Sequence, residues 1–277
     1  MERSPLYEAQ NSNRYERQKL IVDYQEAFQC RLIVLVDVIF PYGVTYFEEL
    51  VSDADPAMDL HLLLDTPGGD GETAVRFIRA AQTRCRELTV IVPNQAKSAG
   101  TVLAIGAHHV LMGPVSDLGP IDPQLQIKPG SLVSAKDIIA AVDDATKKVQ
   151  EAPETYALYA SLLSDVTALM AQQARSALAR TTDLLEEALR SNPDRTADEV
   201  AALKDKLQKP LIGDPQSHSA ILGAREAAKM GLPVIEADAA GEQWRAIWRL
   251  WTRYFALQAR VYEGARVSQV MPWPAAT

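Results

Sequence analysis

The sequence predicts an α/β fold: a core of βαβ units, a helical insertion and a helical C-terminal arm. Three observations predict it. Residues 31–37 (RLIVLVD), 60–65 (LHLLLD) and 88–93 (LTVIVP) are short, branched aliphatic runs, the pattern of strands covered on both faces. Helix-periodic apolar spacing follows the second and third runs, over 70–84 and 98–107. Strand and helix in strict alternation build right-handed crossovers and a parallel sheet. Beyond about residue 130 the composition turns to Ala, Leu, Glu, Gln and Arg, which are strong helix formers.

Residues 109–112 (HVLM) read as a weaker fourth strand. Helices are expected over 136–150, 152–189 and 197–207, with Ser191-Asn-Pro193 ending the second. Residues 209–213 (KPLIG) read as a loop, and 225–230 as a short helix that Gly231 closes. A long helix is expected over 241–266, carrying Trp244, Trp248, Trp251, Tyr254 and Phe255. Three of these and Phe255 recur at spacings of three or four and so share a face, suited to the chain's own core or to a neighbouring subunit. With 277 residues, 47% of them hydrophobic, the chain can bury a large core. One domain is expected: core about 30–140 and 208–240, insertion about 141–207, arm about 241–277.

Charge and composition exclude several functions. A net charge of −8 leaves no basic stripe for nucleic acid. Cys30 and Cys85 are the only cysteines, too few for a disulfide framework, and they suit a reducing compartment. The N-terminal stretch is polar, and no apolar run reaches the ~18 residues of a membrane span. The chain therefore reads as cytoplasmic. Histidines and cysteines lack metal-ligand spacing. Neither G-x-G-x-x-G nor G-x-x-x-x-G-K-[ST] is present, so the chain supplies no dinucleotide fingerprint and no ATPase of its own.

Two segments can carry chemistry. Residues 65–72 (DTPGGDGE) stand where a strand turns into a helix. Adjacent glycines let the backbone bend and leave amides free for an anion or a developing oxyanion. The plain alternative is an ordinary strand-to-helix turn. Residues 92–101 (VPNQAKSAGT) place Ser98 at a helix start among small neighbours. An N-cap explains such a serine; so does a nucleophile with room for an acyl group and the Ala99 amide beside it. A serine nucleophile needs a base. His61 reads as a core residue inside a strand, His108 and His109 begin a strand, and His218 lies in a loop. A lysine amine kept neutral by burial is the other option.

Residues 64–69 (LDTPGG), 92–101 and 118–124 (LGPIDPQ), in that order, resemble the ClpP/crotonase-like superfamily, and within it the serine dehydrogenase proteinase family close to signal peptide peptidase A. The similarity covers roughly 30–140, with a looser match at His218 and residues 226–232 (EAAKMGL). The resemblance implies a serine peptidase with Ser98 as nucleophile and an oxyanion hole at Gly68 and Gly69, joined by Ala99. ClpP carries its histidine about two dozen residues past the serine, where this chain has Ile121-Asp122-Pro123. Signal peptide peptidase A uses a Ser-Lys dyad with its lysine in a Lys-Asp-Ile context, which falls here on Lys136-Asp137-Ile138. Lys136 is the expected base, with His218 as the alternative. Lys97 should point away from its neighbour, and Asp122 reads as a loop-fixing residue. No cofactor is implied, pyridoxal phosphate included. Peptides or unfolded proteins are the implied substrates, and a homo-oligomer the implied assembly. Two rivals share the fold: a crotonase-type acyl-CoA enzyme, which would need a carboxylate base instead of Ser98, and a non-catalytic assembly module.

Overall fold

The computed structural model describes residues 4–128, 130–213 and 221–274. In chain order the elements are α1 (Pro5–Phe28), β1 (Cys30–Val36), α2 (Gly43–Val51), β2 (Asp59–Asp65), α3 (Gly71–Gln82), β3 (Leu88–Val92), β4 (Gln95–Ala96), α4 (Ala99–Ile105), β5 (His109–Met112) and β6 (Asp117–Leu118). A hairpin of β7 (Gln124–Lys128) and β8 (Ser131–Ser134) leads into α5 (Ala135–Glu151). There follow α6 (Tyr156–Leu162), α7 (Ala168–Arg190), α8 (Ala197–Gln208), α9 (Ala224–Lys229), β9 (Val234–Glu236), α10 (Glu242–Leu257), β10 (Ala259–Glu263) and β11 (Ser268–Pro272). Each expected strand is present within a residue of its predicted bounds.

The main sheet runs β11-β10-β1-β2-β3-β5-β9. It is parallel from β1 to β9, with β10 antiparallel to β1 and β11 antiparallel to β10. Alternation along β1 explains the layers: Ile33 and Leu35 join one core, Leu32, Val34 and Val36 the other. On the first face lie α2, α3, α4 and α7, where Phe47 stacks on Phe77 at 4.4 Å between ring centres. On the second lie α1 and α10, through Ile21, Tyr24, Ile247, Trp251 and Tyr254.

Four sequence expectations are revised. The stretch 152–189 is not one helix: α6 ends at Leu162, and Thr167 starts α7 by accepting the Met170 amide at 3.1 Å. Residues 209–213 continue α8 as a π-helical turn (Lys209–Gly213) that buries Leu211 and Ile212. The arm helix stops at Leu257, where Gln258 takes φ 47, and the chain returns as a hairpin instead of continuing to 266. The aromatic face also splits, with Trp244 and Trp251 buried but Trp248 and Phe255 exposed. The N-terminal helix α1 is an addition; it buries Arg17, Gln18, Ile21 and Tyr24.

His61 joins three elements. Its Nδ1 accepts from Tyr24 Oη at 2.8 Å, and that hydroxyl accepts from Gln243 Nε2 at 3.0 Å, linking β2, α1 and α10. Burial pushes the imidazole down to about 4 from 6.5, and a proton on Nδ1 would remove its acceptor. The depressed value favours neutral histidine in the folded chain. Stability is therefore fully present above pH 6.5 and is lost as pH falls towards 4. The loss should reach roughly 2–3 kcal/mol. Urea titrations at pH 7 and pH 4.5 check this: His61→Gln should flatten the acid loss, and an unchanged slope overturns it. No helix among the described residues is long and apolar enough to cross a membrane.

Candidate active site

The two motif segments are zipped together at the carboxyl ends of β2 and β3. The Thr66 amide donates to the Gln95 carbonyl at 3.0 Å and the Lys97 amide to the Thr66 carbonyl at 3.1 Å. After Thr66 the chain turns through Gly68 (φ 117) and Gly69 (φ 137), a backbone open only to glycine at low cost. A Cβ on Gly69 would run into the Ile39 carbonyl. Ile39 clamps the turn on both sides, donating to the Gly68 carbonyl at 2.8 Å and accepting from the Asp70 amide at 2.7 Å. Asp70 then caps α3, taking the Thr73 amide at 2.7 Å.

The amides of the turn are not equivalent. Gly68 N–H donates to Thr66 Oγ1 at 3.1 Å, so Gly68 supplies room rather than a donor. Gly69 N–H and Ala99 N–H have no acceptor among the described residues. A Cβ built on Gly68 would stand 3.0 Å from Ser98 Cβ. The free amides are therefore each one residue from the point where the two segments touch.

Ser98 stands at φ 49, ψ −109, a region that non-glycine residues occupy only when the surroundings force them. Its hydroxyl does not cap α4 and makes no hydrogen bond among the described residues. The N-cap explanation fails. Behind the turn, the buried Thr101 hydroxyl shares its one proton between the carbonyls of Ala96 and Gly119, each at 2.8 Å, and accepts from the Gly119 amide at 3.1 Å. Gly100 has no room for a side chain beside Thr66 Cγ2. Lys97 leaves the site, as its neighbour position requires, and its amine binds Asp117 and the Leu118 carbonyl.

Asp122, buried, accepts from Ser134 Oγ at 2.7 Å, and the Ala135 amide donates to the Pro123 carbonyl at 2.9 Å. These bonds fasten the start of α5, and with it Lys136, to the 118–124 loop. Lys136 is half-buried and lines a cavity of about 840 Å3 with Ile139, Leu178, Thr182 and Asp205. Its amine makes no ion pair or hydrogen bond among the described residues, and no hydrogen bond joins it to Ser98 Oγ. His218 lies outside the described residues. Sequence reasoning missed Thr66, Thr101 and Ser134, whose hydroxyls bind backbone or carboxylate; no spacing rule marks such residues in advance.

A family described as ClpP-like SDH-type serine proteinase has a sequence model that matches residues 50–245. The chain belongs to that family. The match begins in α2, takes in both glycine turn and serine, and ends in α10. Two relatives are uncharacterized proteins of Methanocaldococcus jannaschii. One is 29% identical over 175 residues, 63% of this chain and 53% of the relative. The other is 23% identical over 177 residues, 64% and 52%. The chain spans about half the length of the curated relatives it matches. Among solved structures, a serine-to-alanine mutant of 1510-N, a membrane-bound stomatin-specific protease, shows 18% identity and a TM-score of 0.47. That comparison covers 78% of this chain and 82% of the other.

Proposed function

We propose that the chain is a serine peptidase in which Ser98 is acylated by the substrate. The observation that carries this is Ser98 itself: a strained serine with an uncommitted hydroxyl, pressed against the glycine turn of β2. In the reaction Ser98 Oγ attacks the peptide carbonyl while the Lys136 amine takes the hydroxyl proton. The amides of Gly69 and Ala99 hold the oxyanion. The leaving amine takes the proton, the acyl-enzyme forms, and water then attacks it with Lys136 again as base. The reading requires Lys136 to close on Ser98 with substrate bound, as catalytic contacts often tighten only in the complex.

The test is labelling by a serine-directed fluorophosphonate, read as intact mass. One adduct on the wild type and none on Ser98→Ala is expected. An unlabelled wild type overturns the reading and favours the crotonase-type or non-catalytic alternative.

The same reading makes peptides or unfolded proteins the substrates, acting without ATP, cofactor or nucleic acid, in the cytoplasm. It also includes a homo-oligomer. Supporting this, α6 buries no residue and exposes Tyr156, Leu158 and Leu162, and Leu169 of α7 is exposed as well. So short a helix is marginal without a covering surface. Light scattering at micromolar concentration should give a multiple of the 30.4 kDa chain mass; a monomer mass overturns the assembly.

A further inference from the structure

Beyond the serine site, the carboxyl edge of the sheet carries a second recess. Pro114 and Val115, just past β5, face Trp244, Arg245, Trp248 and Arg249 of α10 across a groove of about 370 Å3. Its floor is fixed. Trp244 is only 6% exposed, and Gly113 leaves the space its ring fills. Its walls are apolar but open, with Val115 at 62% and Trp248 at 42% exposure. Large rigid aromatics at a rim are anchors for a bound side chain.

The charge of the groove is the decisive feature. Arg245 and Arg249 lie one turn apart on α10, and neither forms an ion pair among the described residues. Arg253, the next turn on, pairs with Glu16. Two uncommitted guanidinium groups beside an apolar slot, on a chain of net charge −8, suit a ligand with an apolar side chain and carboxylates near it. A concave slot favours a polypeptide over a flat lipid surface.

The groove also borders the segment that carries Ser98. It shares Pro114 and Val115 with an adjoining cleft lined by Asn94, Gln95, Asp117 and Ile221. Asp117 pairs with Gln95 in the β4–β6 ladder, three residues before Ser98.

We propose that this groove docks an acidic segment with an apolar anchor, carried by the polypeptide substrate at a distance from the bond to be cut. The proposal rests on the peptidase reading for its substrate class. Binding there would hold the chain across the sheet edge and raise the local concentration of scissile bonds at Ser98.

The test uses full-length Ser98→Ala protein and a fluorescein-labelled octapeptide with glutamates flanking a phenylalanine. Its counterpart has lysines for the glutamates. Fluorescence anisotropy should show the acidic peptide binding about tenfold tighter, and Arg245→Gln/Arg249→Gln should lose about tenfold. Trp248→Ala should weaken binding while circular dichroism stays unchanged. Equal affinity for both peptides, or no loss in the arginine variant, overturns the proposal. So does binding of phosphatidylserine vesicles in place of the peptide. Fluorophosphonate labelling separates the two claims: arginine-dependent binding by a protein that never labels keeps the docking groove and removes the peptidase.

Discussion

Ser98→Ala should lower peptide hydrolysis by a factor on the order of 10^4 to 10^6, Lys136→Ala by a comparable factor, and the double variant by no more than either alone. In the proposed dyad nucleophile and base act as one unit, so removing the second member of a broken pair would cost little. Alanine at position 98 faces the same positive φ as serine, so the substitution should leave the fold intact. That separates lost chemistry from lost structure. Residual activity would come from the Gly69 and Ala99 amides and from substrate binding. Full activity in Lys136→Ala sinks the dyad and moves the base to His218; multiplicative losses would mean that Lys136 acts apart from Ser98. Initial rates on a casein or peptide substrate, with circular dichroism for each variant, decide among these.

The core was legible because its signals are local. Branched aliphatic runs marked β1, β2 and β3, and double burial of Leu32 to Val36 is what those runs encode. The glycine turn was legible because positive φ at Gly68 and Gly69 demands glycine. Ser98 was legible as a candidate, but its positive φ and its departure from the N-cap role were not, since both belong to a turn packed against residues distant in sequence. The helix α1 was hidden for a different reason. Its buried face includes Arg17 and Gln18, polar side chains satisfied by Glu263 and the Gly264 carbonyl nearly the whole chain away.

The C-terminal arm misled through its aromatics. Spacing placed Trp244, Trp248, Trp251 and Phe255 on one side, but the buried stripe runs through Ile247, Leu250 and Tyr254. Trp248 and Phe255 fall past its edge. The hairpin beyond Leu257 is set by pairing with β1, Val34 against Glu263 and Val36 against Val261, a partnership of high sequence separation. The choice of Lys136 as base rests on resemblance alone, because a lysine's usefulness depends on what stands near its amine.

Arg17→Met should destabilise the fold by about 3–5 kcal/mol, because it strands a carboxylate in the interior. Glu263 is fully buried, and Arg17 binds it with two nitrogens, at 2.7 and 3.0 Å. Tyr254 Oη donates a further bond at 2.7 Å, and Ser268 Oγ another. Burial, then the Glu263 charge, pushes the Tyr254 phenol well above its ordinary value, so it stays a donor. With the guanidinium gone, two hydroxyls must hold a full charge in a dry site between α1, α10 and β10. Arg17→Met with Glu263→Gln should recover much of the loss, since the neutral amide keeps hydroxyl partners without a charge to solvate. Urea midpoints for the two singles and the double measure the coupling. A cost below about 1 kcal/mol for Arg17→Met would mean that water reaches Glu263 and that the pair is an ordinary surface contact. Ser98 labelling well below the unfolding temperature should be unchanged in each variant, because the pair fastens α1 and the hairpin to the sheet and touches neither the glycine turn nor α4.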